Sequence, residues 1–191
     1  MASKIVNKIL DGATELFARQ GYFGTTTREI ALKADVAEPS IYRLFLTKEK
    51  LFEHCLAGVI ERCVTPAQFE LTLSSPEAGD FSEALLRAVR AWYSSISGQS
   101  ARLLMQAALS DNRQWSEMAY APITEIIAVL AKSLARELDL PRGTAAVAAR
   151  TLILALFHFK VARPMLSSTE NERQSVEKTI EQWLAGLHRR P

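Results

Sequence analysis

Cysteine is all but missing: in 191 residues only Cys55 and Cys63 occur. They read as parts of one helix, which holds them roughly 12 Å apart and excludes a disulfide between them. A dominant charge is missing too, since Lys and Arg number 23 against 21 Asp and Glu, for a formal charge of +2. Without a basic tail, any nucleic-acid contact has to come from local placement. Apolar runs are short. The longest candidate, Leu152 to Phe159, falls far below the roughly 20 residues that a membrane span needs. Met1 to Gly12 lacks the charged, apolar and small segments of a leader, so a cytoplasmic location is expected. Nucleophile-elbow glycines, a phosphate loop and paired carboxylates in a recognisable setting are absent, and His54, His158 and His188 have no partners that would define a general base; no enzyme is expected. His54 and Cys55 point to different helix faces and Cys63 stands two turns away, so neither a metal nor a cofactor is expected.

What is present is helical periodicity in a chain whose 48% hydrophobic content is ordinary for a packed protein. Ile9, Ala13, Leu16 and Phe17 recur at helical spacing, and Gly21 follows as a left-handed cap, which predicts a helix from near Lys4 to Gln20. Thr25, Thr26 and Thr27 open a short second helix ending near Ala34, and Thr26 with Glu29 fits a capping box. Asp35 occupies a tight turn and Val36 plugs it; Pro39 suits the first turn of a third helix ending near Phe45. Thr47 begins a fourth, with Leu51, Phe52, Cys55, Leu56 and Val59 inward. Thr65-Pro66 bends or ends that helix, and Ser74 to Gly79 reads as a linker. Later stripes are Phe81, Leu85, Ala88, Val89, Trp92 and Ile96, then Ile123, Ile127, Leu130, Leu134 and Leu138. Strand-like alternation is nowhere sustained. The expected fold is all-α, with about nine helices in two domains: residues 1–47 as a three-helix DNA-binding domain, 48–79 as connecting helix and linker, and 80–191 as a ligand-binding and dimerisation domain.

Two short helices joined by Ala34-Asp35-Val36-Ala37 and held by a longer helix have the dimensions of a DNA-binding helix-turn-helix. The outward residues agree: Thr26, Thr27, Arg28, Ser40, Tyr42, Arg43 and Lys48 are hydroxyl or cationic groups suited to phosphate oxygens. At the start of the fourth helix, Lys48 is also beside backbone N–H groups that favour a phosphate. The run from Ile9 to Leu51 resembles the N-terminal domain of the TetR-type one-component repressors. The resemblance lies in Leu16-Phe17 with Gly21-Tyr22, in Thr25-Thr26-Thr27, in Ile41-Tyr42 with Phe45, and in Lys48-Glu49 before Leu51. It departs from the usual pattern at Asp35, where a Gly is usual, at Ala37, where a Ser is frequent, and at the acidic Glu38.

The resemblance implies phosphate contacts from Thr26 or Thr27, Tyr42 and Lys48, and base-edge contacts from Arg28, Glu38, Pro39, Ser40 and Arg43. It further implies a transcriptional regulator, a repressor that binds a palindromic operator as a homodimer and is released by a small-molecule effector. An alternative is a structural or protein-recruiting DNA-binding protein of the same fold without an inducer. Large side chains in the second domain make Trp92, Met105, Trp115, Met118 and His158 candidate effector contacts. Ala145 to Val161 is apolar almost all round, and Val176, Ile180, Trp183, Leu184 and Leu187 form one stripe. These two helices are the expected dimer interface, through Leu154, Phe157, Val161, Ile180, Trp183, Leu184 and Leu187.

Overall fold

The structure, a computed structural model, describes residues 2–75, 80–162 and 172–188. Those residues form helices and no strand: α1 (Ala2–Gly24), α2 (Thr27–Ala34), α3 (Glu38–Phe45), α4 (Lys48–Glu61), α5 (Pro66–Leu73), α6 (Phe81–Ser95), α7 (Gly98–Ala108), α8 (Arg113–Glu137), α9 (Arg142–Ala162) and α10 (Glu172–His188). The all-α expectation holds. Thr65 caps a separate short helix, α5, with Gln68 completing a capping box. Of the expected linker, residues 76–79 lie outside the described residues, as do Asn171 and the side chain of His188.

The chain divides into two compact units, one of residues 1–62 with 97–120, the other of residues 63–96 with 121–191. Residues 97–120, beyond the boundary expected from sequence, thus pack with the first unit. There α7 lies along α1 and α4 and buries Leu103 and Leu104, while Arg102 Nε donates to the Ala18 carbonyl at 3.3 Å. The stripe of α1 is buried as its spacing requires, at Ile9, Ala13, Leu16 and Phe17. Gly21 then breaks helical geometry with φ 79° and ψ 168°, a combination open essentially only to glycine.

The second unit is held by the inward faces of α6 (Leu85, Ala88, Val89), of α8 (Ile126, Leu130, Leu134) and of α9 (Ala149, Leu152, Ile153). By length and composition alone α8 and α9 are apolar enough to cross a membrane. Both carry a buried face of this kind, which is what a core helix of a packed bundle needs. Arg90 on α6 pairs with Glu177 on α10 at 2.7 Å, and Lys160 on α9 lies 4.1 Å from the centre of the Tyr93 ring.

The junction of α3 and α4 is strained. Leu46 has φ 67° and ψ −52°, and Thr47 N–H donates to the Phe45 carbonyl at 2.8 Å, which makes a γ-turn of the rare positive-φ kind. A bulky residue there costs of order 1–3 kcal/mol, and the side chain is 74% exposed, so little packing offsets it. Leu46→Gly is therefore expected to stabilise the protein by about 1 kcal/mol after glycine's own entropic loss. Chemical denaturation of the two proteins checks this; a destabilised glycine variant would show that the turn is relaxed.

Candidate nucleic-acid interface

The geometry of α2 and α3 is fixed by its caps. The Thr26 hydroxyl accepts from Glu29 N–H at 3.2 Å, and the Glu29 carboxylate accepts from Thr26 N–H at 2.9 Å, so both arms of the capping box are made. These bonds from Thr26 hold the Glu29 carboxyl below the usual carboxylate range. Asp35 adopts the left-handed conformation, φ 57° and ψ 52°, where the family pattern has Gly; Asp is among the few side chains that tolerate it. Val36 N–H then returns to the Ala31 carbonyl at 3.0 Å and closes the turn. Ala37 supplies no side-chain cap to α3, and Pro39 occupies the first turn instead.

On this frame Thr26, Arg28, Pro39 and Arg43 are exposed, and Glu38, Ser40 and Lys48 are partly so. Tyr42 is 47% exposed. Thr27 differs from the rest of the predicted set, being buried. Its hydroxyl donates to Glu38 Oε1 at 2.6 Å and lies 2.9 Å from the Tyr42 hydroxyl, so one small group links the start of α2 to two residues of α3. Sequence spacing gave no sign of this link, because it joins residues 11 and 15 positions apart across a turn.

Lys48 is the second departure from a simple phosphate-binding surface. Its ammonium donates to the Tyr22 and Thr25 carbonyls, at 3.1 Å each, and stands 4.2 Å from the centre of the Tyr22 ring. The Tyr22 hydroxyl in turn donates to Glu49 Oε1 at 2.5 Å. Burial, reinforced by that carboxylate, pushes the Tyr22 phenol far above its ordinary range, and the same hydrogen bond holds Glu49 below its own. The pattern Gly21-Tyr22 with Lys48-Glu49 is therefore a clamp between the end of α1 and the start of α4. Behind it Tyr22 and Phe52 pack on Trp115 with ring centres 4.7 and 4.5 Å away, and Phe17 meets Phe52 at 5.0 Å.

The other predicted groups fall in separate settings. Trp92 and Trp115 are buried, the first in the second unit and the second in the aromatic cluster just described. Met105 and Met118 are half-buried in the first unit, whereas His158 is exposed on α9. Of the expected dimer contacts, Leu154 is 42% exposed and Val161, Trp183 and Leu187 are partly exposed. Phe157, Ile180 and Leu184 are instead buried within the single chain, with exposures of 5, 0 and 7%, so they hold the second unit together and are not free for a partner. His54 Nδ1 is 2.7 Å from the Lys50 carbonyl, and burial pushes the Cys55 thiol up to about 12.

Residues 9–55 match the family model described as bacterial regulatory proteins, tetR family. Over 50 residues the chain is 48% identical to an uncharacterized HTH-type transcriptional regulator, YvkB, of Bacillus subtilis (strain 168), a match that covers 26% of this chain and 26% of that protein. Among solved structures, the fold is similar to that of NalD, the secondary repressor of the MexAB-OprM multidrug efflux pump in Pseudomonas aeruginosa, with TM-score 0.69, 24% identity and coverage of 96% of this chain and 97% of that one. It is also similar to the TetR family transcriptional regulator PfmR from Thermus thermophilus, with TM-score 0.72, 20% identity and coverage of 95 and 99%.

The clamp carries a pH dependence whose sign is fixed. A phenol raised on folding contributes stability that is complete below its ordinary value of 10.0 and is lost as pH rises toward the folded value. Stability is expected to fall above about pH 10 more steeply in the parent than in Tyr22→Phe. Lys48→Met, which keeps the stem and removes the charged donors, is expected to cost roughly 2 kcal/mol. Urea titrations at about pH 7 and about pH 10.5 test both; equal alkaline losses in parent and Tyr22→Phe would remove Tyr22 as the cause.

Proposed function

We propose that the chain, whose residues 9–55 match the tetR family model, is a transcriptional regulator of the TetR family, a cytoplasmic repressor that binds a palindromic operator as a homodimer and is released by a small-molecule effector, with no enzymatic activity. The observation that carries the DNA reading is the polar face of α2 and α3, on which Thr26, Arg28, Ser40, Tyr42 and Arg43 reach solvent. Arg28 and Arg43 supply cations, and α3, with Glu38, Pro39, Ser40 and Arg43, is the helix for the major groove. A carboxylate there accepts from the N4 amine of cytosine and is unfavourable beside the acceptors of guanine, which is the role assigned to Glu38. Lys48, with two of its three protons on carbonyls, keeps one for a phosphate.

Dimer formation is assigned to α9 and α10. Val147, Thr151, Leu154 and His158 form an exposed stripe on α9, and a groove of about 400 Å³ lined by Val147, Ala148, Thr151, Trp183 and Leu187 runs between α9 and α10. Two-fold pairing of this surface makes a four-helix arrangement and implies recognition helices roughly 34–36 Å apart, or a multiple of the DNA repeat. For the effector, Trp115 is the member of the candidate set whose buried indole N–H has no acceptor among the described residues. A ligand that prefers the DNA-incompetent state by a few kcal/mol suffices for release.

Selection of bound sequences from a random DNA pool is expected to yield an inverted repeat, with an affinity that depends on salt through about three cations per half-site, Arg28, Arg43 and Lys48. Recovery of unrelated sequences at equal affinity would favour a structural DNA-binding role. Leu154→Glu is expected to give folded monomers, whereas Leu184→Glu, which buries an unpaired charge, is expected to unfold the second unit. Sedimentation with circular dichroism separates the two, and a Leu154→Glu protein that remains dimeric moves the interface elsewhere.

A further inference from the structure

The hydroxyls of Thr27 and Tyr42 and the carboxylate of Glu38 make a chain with only two protons to distribute. As a carboxylate, Glu38 can only accept, so the proton between it and Thr27, across 2.6 Å, is the Thr27 hydroxyl's own. The Thr27 oxygen can then only accept in its 2.9 Å contact with Tyr42, so the Tyr42 phenol is the donor there. Both protons run inward, from Tyr42 to Thr27 to Glu38. Although the Tyr42 ring is 47% exposed, its oxygen therefore turns lone pairs outward and offers no donor to a phosphate.

Resting on the reading that the face of α2 and α3 meets DNA, we propose that Thr27 is a positioning residue for specificity: it couples base readout by Glu38 to phosphate contact by Tyr42. On unrelated DNA the carboxylate keeps Thr27's proton and Tyr42 stays turned inward. At the operator, the cytosine amine takes over the carboxylate, Thr27's proton turns to the Tyr42 oxygen, and the phenol's proton is released to a phosphate oxygen. No covalent bond changes. Each hydroxyl rotates and every donor keeps an acceptor, so the specific complex gains two contacts together that a non-specific complex gains neither of. The buried position of Thr27 keeps the hydroxyl away from water, which would otherwise supply the missing partner and uncouple the two ends.

The test measures binding of the full chain to the selected operator and to unrelated duplex DNA, using Thr27→Val, which keeps the buried shape and removes the hydroxyl. With the phenol released, Thr27→Val is expected to tighten unrelated DNA about 3- to 10-fold, the effect of one hydrogen bond, and to lower the ratio of operator to unrelated affinity. Tyr42→Phe is expected to change unrelated affinity less than about 2-fold in the parent but to weaken it about 3- to 10-fold in the Thr27→Val background. Glu38→Ala, which breaks the chain at its other end, is expected to lower the ratio as Thr27→Val does, and circular dichroism checks that each variant is folded. A Thr27→Val protein that binds both DNAs more weakly to the same degree makes Thr27 a direct phosphate contact and overturns the coupling. Equal losses from Tyr42→Phe in both backgrounds also overturn it. Failure of the parent to bind any duplex preferentially overturns the operator reading itself, a different result from a parent that selects an operator while the variants leave the ratio unchanged, which overturns the coupling alone.

Discussion

A helix broken at Gly21 leaves carbonyl oxygens without helical partners, and the way those oxygens are satisfied decides where the two short helices stand. The hydroxyl of Thr25, which is fully buried, donates to the Gly21 carbonyl at 2.7 Å, and Lys48 reaches across from α4 to the Tyr22 and Thr25 carbonyls. Buried carbonyls without donors cost about 1–3 kcal/mol each, more than a small domain can lose several times over. Because α2 starts two residues after Thr25, the position of its first turn is inherited from this corner. The capping box, the turn at Asp35 and the placement of α3 follow in sequence from that start. Lys48 is thus first a structural cation, with two of its three protons committed to these carbonyls.

How much of this was legible in the sequence divides along a physical line. Features made by near neighbours could be read: the Thr26–Glu29 capping box, the turn at Asp35 and the buried stripe of α1 all depend on residues within a turn or two of one another. Features made by distant partners could not. A periodic stripe states that one face of a helix is covered, but not by what, so α7 was expected in the second domain and instead packs along α1 and α4. Ile180 and Leu184 were expected at a partner chain for the same reason, when their own unit covers them. His158, an effector candidate from its place on an apolar helix, is exposed. It shares the face of Val147, Thr151 and Leu154, one that the single chain leaves in water.

The same limit explains Thr27. Its hydroxyl looked like its neighbour's, but Thr26 is the N-cap residue with extended backbone and Thr27 the first residue of the helix, so their side chains leave the chain in different directions. Thr26 caps and faces solvent, whereas Thr27 turns under α3. Adjacent threonines of identical chemistry therefore serve opposite ends, one satisfying the backbone and the other ordering the polar groups of α3.

Low net charge makes that ordering consequential. A protein with a large basic excess gains affinity for any DNA through counterion release, and its directional contacts are then a small addition. Here the formal charge is +2 for the whole chain, and the Glu38 carboxylate stands among the residues proposed to meet DNA. In the proposed complex non-directional attraction is then a small part of binding, and a carboxylate at the groove reduces it further. Under that proposal discrimination comes from hydrogen bonds whose geometry only one sequence satisfies, and such bonds require donors that are not already free to meet any phosphate. A surface whose hydroxyl protons are turned inward meets that requirement, which is the physical sense of the coupling proposed through Thr27.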